Sequence, residues 1–321
     1  MTEVSLFDEI RARCAEVARR ARHVRIDEAA LGALADRLAA GGAPPASLDP
    51  AREAVGGEAE TVAFVLTLDT INFGSGWFPH LDKRPGCSGY LTVAGALRDH
   101  FAREGPWEPA ALERLTAADL ARVLEQRLEP PVDELMELFA RALGHLGAFL
   151  RERHGGRFAG PVEAAGGSAE RLARDLGAMP FYRDVETYGE LEVPFYKRAQ
   201  IAVSDLALAF GGEGPGRFED LDRLTLFADN LVPHVLRMEG VLRYAPGLVE
   251  RIAREETIEL GSAEEVEIRA VALHAVEGLV AACRRRGFAT TAHELDHRLW
   301  DQGQSGSIKA VPRHRTRCTF Y

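Results

Sequence analysis

The chain has 321 residues, 46% of them hydrophobic, and a formal net charge of −10. That length buries a core without disulfide staples, and the acidity argues against general binding to nucleic acid, whose phosphates need an excess of Lys and Arg to displace counterions. No window reaches the ~18 uninterrupted apolar residues of a membrane span, and the N-terminal stretch mixes acids and bases throughout instead of carrying a signal peptide's apolar core, so a cytoplasmic protein without membrane contact is expected.

Apolar residues recur at three- and four-residue steps over 3–20, 27–39, 60–72, 117–127, 132–151, 168–176, 195–210, 262–287 and 290–302. This spacing predicts amphipathic helices, whereas alternating runs beside hairpin turns are scarce. The expected fold class is mainly α, multi-helical, with few or no short strands, in a single domain over 1–321. Gly- and Pro-rich breaks at 41–47, 154–160, 164–168 and 211–216 read as loops, and 154–168 is the candidate seam if the helices divide into two lobes. Cys14, Cys87, Cys283 and Cys318 form no CxxC pair and read as reduced thiols.

Polar residues inside apolar stretches are the candidates for chemistry. In LTLDTINFGSGWFP, 66–79, Asp69 and Asn72 stand one helical turn apart ahead of Trp77 and Phe78, a pattern that fits core and turn or the aromatic wall of a base pocket. PFYKRAQ, 194–200, puts Lys197 and Arg198 at a helix start, where the dipole disfavours cations and welcomes an anion. In LTLFADNLVPHVLR, 224–237, Asp229 stands among Leu224, Leu226, Phe227, Leu231 and Val232. An unpaired buried carboxylate is costly, so Asp229 caps the helix that begins near Pro233, serves chemistry, or does both.

Ser262 and Glu265 predict a capping box for the 262–287 helix, which Arg284–Arg286 and Gly287 close. HELDHRLWDQG, 293–303, holds His293, Glu294 and His297 in the HExxH spacing of zinc hydrolases, but the acids that follow, Asp296 and Asp301, lie within the same helix and His314 is the sole distant candidate for a third ligand. On the same helix Thr291 and Glu294 predict a second capping box, and Asp301 shares a face with His297.

Together PFYKRAQI, LTLFADNLVPHVL, EGVLRY, EEVEIRA, LDHRLWD and the terminal VPRHRTRCTFY resemble the queuosine salvage family, the queuosine 5′-phosphate N-glycosidases. The resemblance is ordered from about residue 194 to the C-terminus, is supported by LTLDTINF, and is loose over the N-terminal part. It implies hydrolysis of the bond between ribose and the 7-deazaguanine base of queuosine 5′-monophosphate, releasing queuine. It also implies a fold similar to the helix-hairpin-helix DNA glycosylases and a monomer that uses neither metal nor cofactor and binds a small nucleotide instead of nucleic acid.

Within the resemblance Asp229, in the family's FAD motif, is the expected catalytic aspartate, with Lys197 nearby to hold it ionised or to orient water. Phe227 is expected to pack on the base, Asp296, His297 and Asp301 to recognise it, and His23 to contribute from RHVRID. Arg313, His314, Arg315 and Arg317 are phosphate donors or a solvated basic end. The sequence departs from the family's pattern at Asn230, Leu231, His297 and GSGW. Two rivals stand beside this expectation: a binding module that carries a deazaguanine nucleotide without turnover, and a zinc hydrolase built on His293, Glu294 and His297.

Overall fold

The computed structural model describes residues 4–41 and 54–321, so the loop expected at 41–47 lies, beyond Gly41, outside the described residues. In chain order the elements are α1 (Leu6–Arg20), β1 (Val24–Ile26), α2 (Glu28–Ala40), α3 (Glu58–Thr70), α4 (Gly89–Glu104), α5 (Pro109–Leu112), α6 (Ala117–Val123), α7 (Val132–Arg153), α8 (Ala159–Ala165) and α9 (Ala169–Leu176). There follow β2 (Val185–Tyr188), β3 (Leu191–Pro194), α10 (Lys197–Ala209), α11 (Val232–Met238), β4 (Leu242–Tyr244), α12 (Pro246–Ala253), α13 (Ala263–Arg285), α14 (Ala292–Gly303) and α15 (Gly306–Lys309). The protein is mainly α, as the periodicity predicts. Among the described residues the strands are confined to two small antiparallel pairs.

The chain forms two compact units, the first drawn from 1–48, 184–197 and 222–317, the second from 49–183, 198–221 and 318–321. Residues 154–168 lie inside the second unit.

The first unit is organised by α13. Its N-terminus is capped as expected on one side only: the Ser262 hydroxyl accepts the Glu265 amide at 3.3 Å, but the Glu265 carboxylate turns to the Gly261 amide and leaves the box open. α1 and α2 pack against α13, burying Phe7, Ile10, Cys14 and Val17 from α1 and Leu31 and Leu34 from α2. Removing one such aromatic, Phe7, would cost about 3–5 kcal/mol through lost transfer energy and a cavity. Burial also pushes the Cys14 thiol up, keeping it protonated and inert.

Two ribbons complete this unit. β1 and β4 pair with Val24 opposite Tyr244 and Ile26 opposite Leu242, and the Ala245 amide extends the ladder to the His23 carbonyl at 2.7 Å. β2 and β3 form a hairpin from Val185 opposite Pro194 to Tyr188 opposite Leu191, turned through Gly189 at φ +63°.

In the second unit α3 and α7 pack together, and Phe73 meets Phe139 edge-on at 5.0 Å. Arg198 is 1% exposed; its guanidinium donates to the carbonyls of Asp69, Thr70 and Phe181 and lies over the rings of Tyr182 and Phe73. It closes the C-terminal end of α3, where orphan carbonyls collect, so the anion suggested for it by sequence is supplied by the protein's own backbone dipoles. Asn72 donates to the Asp69 carboxylate at 3.1 Å and the buried Trp77 indole to Glu134 at 2.8 Å, which makes LTLDTINFGSGWFP core and turn.

Candidate active site

The FAD segment is a loop ahead of α11, and hydrogen bonds hold it on three sides. The Asp229 Oδ1 accepts the Leu231 amide at 2.8 Å and the Val232 amide at 3.1 Å, so the carboxylate does cap the helix start. Among the described residues its second oxygen, Oδ2, has no hydrogen-bond partner. Asp229 is half-buried, less sequestered than its neighbours suggest: Phe227, Ala228 and Asn230 turn inward and the Asp does not follow.

One residue earlier, the Ala228 carbonyl accepts the Arg269 Nε at 2.9 Å. Arg269 is fully buried on α13 and forks onto Asp184 at 3.0 and 2.6 Å, with its guanidinium 3.9 Å from the centroid of Phe195. Asp184 Oδ2 also accepts the Lys197 amide at 3.1 Å, and its carbonyl accepts the amides of Phe195 and Tyr196. One ion pair thus ties the loop bearing Asp229 to the turn bearing Lys197. Tyr196, at φ +48°, holds that turn in the left-handed region, a strain the surrounding bonds overcome. Lys197 is 5% exposed, and among the described residues its ammonium makes no ion pair, with Asp229 or any other carboxylate.

Phe227 joins the third side. Its amide donates to the buried Asp296 Oδ1 at 3.0 Å, and its ring meets His297 at 5.7 Å with planes inclined 64°. Asp296 and His297 come from α14, whose capping box of Thr291 and Glu294 forms as expected. α14 approaches the loop closely because Gly303 has no side chain: a Cβ there would lie 2.8 Å from Leu231 Cγ. Asp301, half-buried in the last turn of α14, stays on the His297 face by helical spacing.

His23 reaches the site's framework through its backbone. Glu267, fully buried on α13, accepts the amides of Arg22, His23 and Val24 at 2.6–3.0 Å and the Tyr188 hydroxyl at 2.8 Å. The structure therefore brings Phe227, Asp296 and His297 into direct contact and ties Asp229 and Lys197 to one ion pair.

Asp184, Glu267 and Arg269 escaped the sequence reading. The available signal was EEVEIRA itself, which sets charges at 265, 267 and 269, a spacing that cannot put all three on one solvent-facing stripe of the helix. Nearby, burial first and the Glu265 charge second push the Glu186 carboxyl up to about 7.

The HExxH alternative has no such framework. Glu294 is exposed and gives its carboxylate to the Thr291 amide, the His293 and His297 rings stand 6.2 Å apart, and burial holds the His293 pKa down. Among the described residues no three His, Cys, Asp or Glu side chains are grouped to hold a metal ion, and no helix is long and apolar enough to cross a membrane.

This is a helical protein whose polar centre is a loop carboxylate pinned on one oxygen beside an aromatic and acidic seat. Residues 52–321 match the model of the family described as queuosine salvage protein, and the chain belongs to that family. It is similar to proteins named queuosine 5′-phosphate N-glycosylase/hydrolase from three organisms. The Sphaerobacter thermophilus protein is 40% identical over 310 residues, 95% of each chain, and the Bos taurus protein 30% identical over 331 residues, 95% of this chain and 96% of that one. The Dictyostelium discoideum protein is 33% identical over 264 residues, 81% of this chain and 78% of that one.

Proposed function

We propose that the protein hydrolyses the N-glycosidic bond of queuosine 5′-phosphate, releasing the base queuine and ribose 5-phosphate. As the C1′–N bond lengthens, its electron pair leaves with the base while positive charge builds on C1′ and the ring oxygen. A carboxylate fixed in advance stabilises that charge by several kcal/mol more than reorganising water does. Asp229 suits the task because Oδ1 is locked by two backbone amides and Oδ2 is left to face the sugar. Water adds its hydroxyl to C1′ and its proton ends on the departing nitrogen.

The base lacks N7, so it is activated through its other edges. Phe227 and His297 flank it, while Asp296, held by the Phe227 amide, and Asp301 accept from its N–H groups. Lys197, held by Asp184 at its backbone, has an ammonium that makes no ion pair among the described residues and orients the water or the sugar hydroxyls.

The observation that carries this reading is the half-satisfied carboxylate of Asp229 in a chain of this family. It is tested by incubating the purified protein with queuosine 5′-phosphate and measuring free queuine. Release by the wild type and a drop of about 10²–10³-fold in Asp229→Asn is the expected result. Because Asn caps as well as Asp, that variant keeps its melting temperature, while Asp229→Ala additionally loses about 1 kcal/mol of stability. Tight binding without release would instead establish a carrier of the nucleotide.

A further inference from the structure

A second group of polar side chains in the first unit gathers around Arg313, one of the tail residues open between phosphate donor and solvated basic end, and includes residues of α11 and β4 given no role so far. The tail runs beside the Asp229 loop: Asn230 Nδ2 donates to the His314 carbonyl at 3.4 Å, and the Arg315 carbonyl accepts the Ile258 amide at 2.8 Å. The same tail is tied to α11 further back, where His234 Nε2 meets the Ile308 carbonyl at 3.2 Å. Arg313, one residue before His314, has a buried Nε with no partner among the described residues, and its guanidinium makes no ion pair there.

On α11, Arg237 repeats this pattern. Its Nη1 is buried without a partner while its guanidinium lies 5.5 Å from the Tyr244 ring centroid, and the Tyr244 hydroxyl and His234 Nδ1 are likewise buried and unpartnered among the described residues. Tyr244 belongs to β4, beside the His23 carbonyl that Ala245 bonds. Orphaned guanidinium and hydroxyl donors cost about 1–3 kcal/mol each, more when charged, so the convergence of Arg313, Arg237 and Tyr244 needs an acceptor.

The electrostatics agree. Burial, and then Arg313, holds the His314 pKa down at about 3, and burial holds His234 at about 4 with Arg237 and Arg313 adding to the effect, so both rings are neutral and the group's charge is that of its arginines. Burial lowers the Arg313 pKa, and the carboxylate that acts on it is Asp229.

We infer that Arg313 and Arg237 form the seat of the 5′-phosphate, a phosphomonoester dianion, with the Tyr244 hydroxyl as a further donor. This rests on the reading of Asp229 as the carboxylate that faces the ribose. A nucleotide sets its phosphate a short chain of bonds from C1′, and Arg313 stands in that relation to Asp229, beside the loop and within reach of its charge. Two guanidinium groups suit the three terminal oxygens of a phosphomonoester. The inference makes the protein selective for nucleotide over nucleoside.

The test compares kcat/KM for queuosine 5′-phosphate and for queuosine in the wild type, Arg313→Gln, Arg313→Lys and Arg237→Met. Arg313→Gln is expected to lose about 30- to 100-fold more on the phosphate ester than on the nucleoside, Arg237→Met about 10-fold more, and Arg313→Lys to recover part of the difference. Equal losses on both substrates in Arg313→Gln and Arg237→Met would overturn the inference and leave the proposed hydrolase standing. If the wild type releases no base from either substrate, the proposed function fails, and binding of ribose 5-phosphate by calorimetry decides the inference alone: binding to the wild type that Arg313→Gln abolishes upholds it, and no binding to either overturns it.

Discussion

Two charged regions of the first unit lie within apolar surroundings, and they are satisfied to different degrees. On α13, Glu267 and Arg269 have no exposure and almost every polar atom engaged: three amides and a hydroxyl on Glu267, a carbonyl and a bidentate carboxylate on Arg269. On the FAD loop, Asp229 is half-buried, with one oxygen bonded twice and the other not at all among the described residues. Complete pairing marks charges that build the scaffold. Half pairing fits the catalytic role proposed for Asp229. The scaffold set also holds the segments given catalytic and binding roles in the proposal, since Arg269 bonds the carbonyl next to Asp229 and Glu267 bonds the amide of His23.

The largest expected effect comes from breaking the scaffold. Arg269→Met strands Asp184 as an uncompensated buried charge and should cost about 3–5 kcal/mol, read as a shifted denaturant midpoint. The double variant Arg269→Met, Asp184→Leu should regain much of that stability while turnover stays low, because the Ala228 and Lys197 anchors are gone. If turnover returned with stability, the pair would be no positioning device.

A smaller effect is expected of Glu267→Gln, which turns a charged acceptor of three amides into a neutral one. Stability should fall by about 1–3 kcal/mol, and KM should rise more than kcat falls if the loop at His23 serves binding. A drop confined to kcat would move His23 toward the chemical step.

The smallest effect is a pH dependence. Because the folded protein raises the Glu186 carboxyl from 4.5 to about 7, the folded state holds more protons than the unfolded one between those values. Its contribution is fully present below pH 4.5 and is lost as pH rises through about 7. Glu186→Gln should therefore melt higher than wild type at pH 8 and no higher at pH 4.5; equal melting temperatures at pH 8 would contradict the shift.

Much of the helical frame was legible because apolar periodicity is local. The N-caps at Thr291 and Ser262 and the long helices at α7 and α13 follow it. Helix α4 escaped, since Gly89, Gly95 and the β-branched Thr92 and Val93 blur the pattern that tertiary packing then overrides. The ribbon of β1 with β4 was illegible for another reason: its partners lie far apart in the chain, and three-residue strands leave no alternation to detect.

The site divides in the same way. Asp229, Phe227 and Asp296 stood out as acids and aromatics in specific strings, whereas the partnership of Asp184 with Arg269 spans 85 residues and shows only in three dimensions. The sequestration expected for Asp229 was overstated because apolar neighbours in a loop need not share their direction with the residue between them.

The most direct measurement is queuine release from queuosine 5′-phosphate by Asp229→Asn against wild type, with both melting temperatures recorded. Base should appear with the wild type and fall by about 10²–10³-fold in the variant at an unchanged melting temperature. Wild-type release rates in a folded Asp229→Asn protein would contradict the role given to that oxygen.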